Sequence, residues 1–137
     1  MAGCWEGKVR NALHFAAALA AGLLLLSGLA LAENRYGSIA MSEKGTQYGL
    51  STDHKSMAEA ERAALTACGK KARDCKVFKS IENDCVGVAI AKNAAAGWAT
   101  GGDSQENRRQ RALAECTRQG GDVCTFATHF CTEATKP

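Results

Sequence analysis

From Tyr36 to Ser42 small and apolar residues alternate, Glu43-Lys44-Gly45 turns the chain, and Gln47 to Ser51 resumes as a second strand. Alternation broken by a short polar turn is a hairpin signal. Ser56-Met57-Ala58-Glu59 then reads as a capping box, in which the Ser side chain accepts from the Glu59 backbone N–H. Met57, Ala60, Ala64, Leu65 and Cys68 follow at the three-, four- and seven-residue spacing of a helix face. Gly69 is placed to end that helix in the left-handed conformation, with Lys70 and Lys71 at the negative end of its dipole. Cys75 to Ile81 alternates again, as a third strand. The second half follows the same plan. Strands are expected near Cys85 to Ala91 and Ala96 to Thr100, then a helix opened by Asp103 or Ser104 and closed before Gly120-Gly121, then a strand from Val123 to Phe130.

The two halves match residue by residue. At an offset of 48, Gly49 meets Gly97, Thr52 meets Thr100, Ser56 meets Ser104, Ala64 meets Ala112, Leu65 meets Leu113 and Cys68 meets Cys116. Upstream, "YGSIA" from residue 36 meets "CVGVA" from residue 85 at an offset of 49, and Cys75 meets Cys124 at the same offset. Such an ordered set is an internal duplication. The reading is an α+β fold, a ββαβ unit written twice (repeat one about 36–84, repeat two about 85–131), forming an antiparallel sheet with two helices on one face.

Residues 1–32 have the form of a signal peptide: Lys8 and Arg10, an apolar run from Phe15 to Leu31, and the small-x-small site Ala30-Leu31-Ala32. Removal would leave a single domain of 105 residues, 33–137, without a stable membrane anchor, and would take Cys4 with it. Six cysteines then remain: Cys68, Cys75, Cys85, Cys116, Cys124 and Cys131. An even set in a short exported chain is a disulfide framework. Of the fifteen pairings open to six cysteines, the duplication selects Cys68–Cys75 and Cys116–Cys124 as equivalent staples between a helix end and the next strand, leaving Cys85 for Cys131. Zinc sites favour gaps of two to four residues within each ligand pair; here the gaps are six and seven. A C-x-x-C redox motif is absent. Neither a metal nor another cofactor is expected.

Charge adds little. The processed chain carries 15 basic and 13 acidic residues, a balance that supports solubility. Export, the small net charge and the scarcity of aromatic residues argue against nucleic acid. Arg108, Arg109 and Arg111 make the second helix basic and could meet an acidic protein or an anionic envelope polymer; the plain alternative is a solvated helix face. Trp98, in "AAAGWATGG", could anchor a partner or fill space beneath a helix of alanines. Asp53-His54, with Ser51 and Ser56 nearby, is a weak Ser/His/Asp set, because adjacent acid and imidazole rarely align as a triad requires. No catalytic residue is assigned.

The sequence "YGSIAMS…YGLS…AEAERAALTAC…C", followed by "C…GVA…GWATG…RALAEC…GG…C…C", resembles the DUF4189 family of exported bacterial domains of unknown function, over about residues 36 to 131. The resemblance implies a small, secreted or periplasmic, disulfide-bearing domain and brings no catalytic residues. The expectation is a non-enzymatic exported module that binds a protein or envelope polymer, as inhibitor, adhesive factor or effector. A hydrolase acting on envelope or host material and a structural envelope protein are the alternatives.

Overall fold

The computed structural model describes residues 31–44, 46–101 and 104–134. The predicted signal peptide, apart from Leu31 and Ala32, and Asp103 as a helix opener lie outside them. The elements run β1 (Tyr36–Ser42), β2 (Tyr48–His54), α1 (Met57–Gly69), β3 (Cys75–Glu82), β4 (Cys85–Ala91), β5 (Ala96–Thr100), α2 (Gln105–Arg118) and β6 (Cys124–Cys131). The α+β class and the duplicated ββαβ unit are as read from the sequence. No helix among the described residues is long and apolar enough to cross a membrane.

The strands form two antiparallel sheets, ordered β2-β1-β3 and β5-β4-β6, where the sequence reading drew one. In each, the first strand of the repeat is central, so the outer two are parallel to each other. Joining them requires a crossover, which the helix supplies. Both repeats carry a register shift at the same place: Phe78 is the extra residue of β3 opposite Ile39 and Ala40, and Ala127 that of β6 opposite Val88 and Ala89.

Strand period decides which residues meet. Ile39 and Met41 of β1 and Val86, Val88 and Ile90 of β4 point away from the helices and pack together with Ile81 and Phe130 as the central core. The opposite faces are small. Ala40 meets Ala64 and Cys68 of α1, and Ala89 and Ala91 meet Ala112 and Cys116 of α2. The order is therefore helix, sheet, sheet, helix, with each helix on its own outer face rather than both on one. Strands β1 and β4 are accordingly buried on both sides.

The helices sit close. A side chain at Gly49 would run into the backbone of Cys68 and Ala64, and one at Gly97 into that of Cys116 and Ala112. The matched glycines are thus a packing requirement written into both repeats. Ser56 accepts from the Glu59 N–H at 3.3 Å and Ser104 from the Asn107 N–H at 3.1 Å, so both helices open on a serine cap. Their ends differ. Gly69 does not adopt the left-handed form: it is the last helical residue, and Lys70 is the C-cap with φ −70°. Gly120, with φ +86°, provides the left-handed turn in repeat two.

The three disulfides are Cys68–Cys75, Cys116–Cys124 and Cys85–Cys131, the pairing the duplication selected. The first two fasten helix ends to the following strands. The third joins residues directly opposed on β4 and β6. Three disulfides indicate an oxidising, extracytoplasmic location.

Candidate functional site

The repeats differ most in chemistry at one end of the second sheet. Cys85 and Cys131 are register partners there, and Gly87 and His129 are the next pair on the same face, towards α2. A Cβ at Gly87 would lie 3.3 Å from the Cβ of Arg108; the bare glycine leaves room for the arginine to enter beneath the helix. Arg108 is only 8% exposed. Its Nη1 donates to the Gly101 carbonyl at 3.0 Å, and its Nη2 lies 3.1 Å from His129 Nε2. A guanidinium has only donors, so Nε2 accepts and the imidazole proton resides on Nδ1. Burial first, and the Arg108 charge second, hold the His129 pKa below its ordinary value of 6.5, because each disfavours a second positive charge. His129 Nε2 also lies 3.8 Å from Cys131 Sγ.

At the equivalent positions repeat one carries Tyr36, Glu82, Ser38, Ser80 and Ala60. Tyr36 Oη donates to Glu82 at 3.2 Å where repeat two has its disulfide. The Ser38 and Ser80 hydroxyls are 3.0 Å apart, and Ser80 donates to Glu61 at 3.0 Å. The same strand geometry therefore holds a neutral and acidic network in one repeat, and a disulfide, an imidazole and a cation in the other.

Cys85, Cys131 and His129 bring their sulfur and nitrogen atoms within 4.8 Å of one another. With the sulfurs bonded to each other, only the imidazole remains as a donor, and the adjacent guanidinium repels a cation. The cluster as it stands suits sulfur chemistry better than metal binding. The Asp53–His54 loop takes a different course. Ser51 is buried and its hydroxyl donates to the Ala60 carbonyl, Asp53 has φ +61°, and the Asp53 carbonyl accepts from Arg35 at 3.3 Å.

The residues singled out for partner binding separate. Arg109 and Arg111 are exposed on α2, paired with Glu106 at 3.1 Å and with Asn107 at 2.8 Å respectively. Arg108 belongs to the interior, because it points at the strand glycine while its neighbours point outward. Trp98 is 39% exposed rather than sealed beneath a helix. It pairs with Val88 and so faces the neighbouring sheet from the outer strand β5. Lys79 Nζ lies over its ring, 3.9 Å from the centroid. Two residues along the same face, Ala96 borders a groove of about 250 Å³ with Met41, Val77 and Phe78, and Glu43 and Lys76 also line it. Those last two form an ion pair at 2.6 Å.

Along the chain His129 enters only the zinc reading, which gives it no role; its contact with the inward-pointing Arg108 appears only in the fold. The signal lay in the comparison of repeats: Arg108 stands where repeat one has Ala60 and Gly87 where it has Ser38, an exchange of large for small across one contact. No curated protein and no solved structure was found to be similar. A family model, the domain of unknown function DUF4189, matches residues 36–131, which span both repeats and all six framework cysteines, and the chain belongs to that family.

Proposed function

We propose that this domain is an exported, non-enzymatic binding module that engages a protein partner across the junction of β3 and β5. The observation that carries the reading is Trp98, left partly exposed beside an apolar groove and capped by Lys79. A tryptophan next to a side-chain-sized recess is the usual core of a binding hot spot. Lys79 over its ring adds a cation–π contact and holds the indole ready for docking. Phe78 and Val77 of the edge strand β3 also line the groove. Lys76 and Glu43 give it a charged rim, the arrangement of protein interfaces with an apolar centre and a polar border. Inhibition, adhesion or an effector role would each use such a surface, and the disulfides would keep it intact outside the cytoplasm.

The test is a crosslinking pull-down with oxidised protein from the envelope and culture-supernatant fractions, with a reduced and alkylated control. Titration of the purified captured partner against wild type and Trp98→Ala follows. Support requires saturable binding that weakens by roughly tenfold or more, the loss expected of a hot-spot tryptophan, with the melting temperature of the variant nearly unchanged. Equal affinity of the two proteins would rule out this surface.

A further inference from the structure

Two of the three disulfides are staples between a helix end and the following strand. Cys68 and Cys116 are fully buried, they hold equivalent positions in the two repeats, and each ties a helix end to a strand. Cys85–Cys131 is different on three independent counts. Both of its cysteines are half-buried, whereas each staple has one sealed cysteine, Cys68 or Cys116, and one half-buried, Cys75 or Cys124. Repeat one achieves the same strand register with Tyr36 and Glu82 in its place. The third count is its surroundings, His129 Nε2 at 3.8 Å from Cys131 Sγ and the Arg108 guanidinium at 3.1 Å from that same nitrogen; Ser80 and Ala60 stand there in repeat one.

We propose that Cys85–Cys131 is an exchange-competent disulfide, reduced by a dithiol, with Cys131 as the leaving sulfur. One thiolate of the dithiol attacks Cys85 Sγ. The S–S bond breaks and its electron pair leaves on Cys131, while the attacking sulfur forms a mixed disulfide with Cys85. The second thiol of the reductant, having lost its proton, then attacks the reductant's own sulfur in that mixed disulfide. This closes the reductant's disulfide and releases Cys85 as a thiolate. Two electrons pass to the protein, the dithiol is oxidised, and its two thiol protons are balanced by those taken up at Cys85 and Cys131.

The direction of attack follows from electrostatics. Exchange is faster when the departing thiolate is stabilised, and a nearby cation stabilises a thiolate. Arg108 is a permanent charge held by the Gly101 carbonyl, on the Cys131 side of the bond through its contact with His129. His129 Nε2, which accepts from Arg108 and lies 3.8 Å from Cys131 Sγ, holds that charge beside the leaving sulfur. Arg108 and His129 thus act as positioning residues for the leaving sulfur. The inference stands apart from the Trp98 surface.

Graded dithiothreitol without denaturant, followed by alkylation and peptide mass spectrometry, reads each pair separately in the intact protein. Cys85 and Cys131 are expected to open at roughly tenfold lower dithiothreitol than the other four cysteines. A brief pulse of glutathione, a monothiol, should leave its adduct on Cys85. His129→Ser and Arg108→Ala, which install the residues of repeat one, should slow opening of this pair several-fold and leave the other two pairs unchanged. Should Arg108→Ala fail to fold, His129→Ser carries the test alone. Simultaneous opening of all three pairs, or opening of Cys85–Cys131 last, would overturn the proposal. An adduct on Cys131, or unaltered rates in a folded variant, would equally overturn it.

Discussion

Arg108 Nη2 and His129 Nε2 meet at 3.1 Å beneath the second helix, joining the helix to β6 at the one position where repeat two replaces small uncharged residues with a cation and an imidazole. The contact has a cost, since charge removed from water must be compensated. Its compensation is visible in the Gly101 carbonyl and the neutral imidazole.

Burial makes Arg108 sensitive in a way its neighbours are not. Arg108→Glu places a carboxylate among carbonyl and imidazole acceptors and is expected to destabilise the fold by about 3–5 kcal/mol, the range for a broken buried charge contact. Arg109→Glu and Arg111→Glu, on the exposed face, should each cost about 1 kcal/mol or less. Urea denaturation of the three variants checks this; equal losses would show that Arg108 does not carry its contact energetically.

His129 links stability to pH. Its folded-state pKa lies below the unfolded value, near 6.5, so the unfolded chain binds more protons in the interval between them, and stability there rises with pH. The contribution is complete above about pH 6.5 and declines as pH falls towards the folded pKa. His129→Gln should flatten the change in denaturation midpoint across that interval relative to wild type. Parallel profiles for the two proteins would contradict the assignment.

Gly49 and Gly97 set how near each helix comes to its sheet. Gly97→Ala drives a methyl group into the backbone of Cys116 and Ala112 and should cost at least about 1–3 kcal/mol, as overpacking does. Gly49→Ala should behave alike, because its surroundings are duplicated. Gly69→Ala is the control: nothing lies within 4 Å of the added atom, and its effect should stay within about 1 kcal/mol. Thermal or urea unfolding of the three proteins separates these outcomes.

Much of this was legible along the chain. The offset matches identified the repeat, and the repeat selected one cysteine pairing from fifteen. Period two along Tyr36–Ser42 and Cys85–Ala91 located the central strands, and Ser56 and Ser104 located both helix starts. Trp98 stands out along the chain as an isolated large residue, for which filling space beneath a helix is the favoured role; only the structure shows it 39% exposed on the face towards the other sheet.

By itself, the sequence determined what local chemistry can determine: element types, their order and the duplication, which depend on spacing, capping and matched positions; it favoured one disulfide pairing, which the structure established. Only the tertiary structure decided that six strands divide into two sheets packed through Ile39, Met41, Val86, Val88 and Ile90. Alternation says which residues share a face, but not which other face will cover them. The inward turn of Arg108 was decided at the same level. Its helix position matches that of Ala60, and only the space above Gly87, with His129 alongside, makes an interior site for a cation.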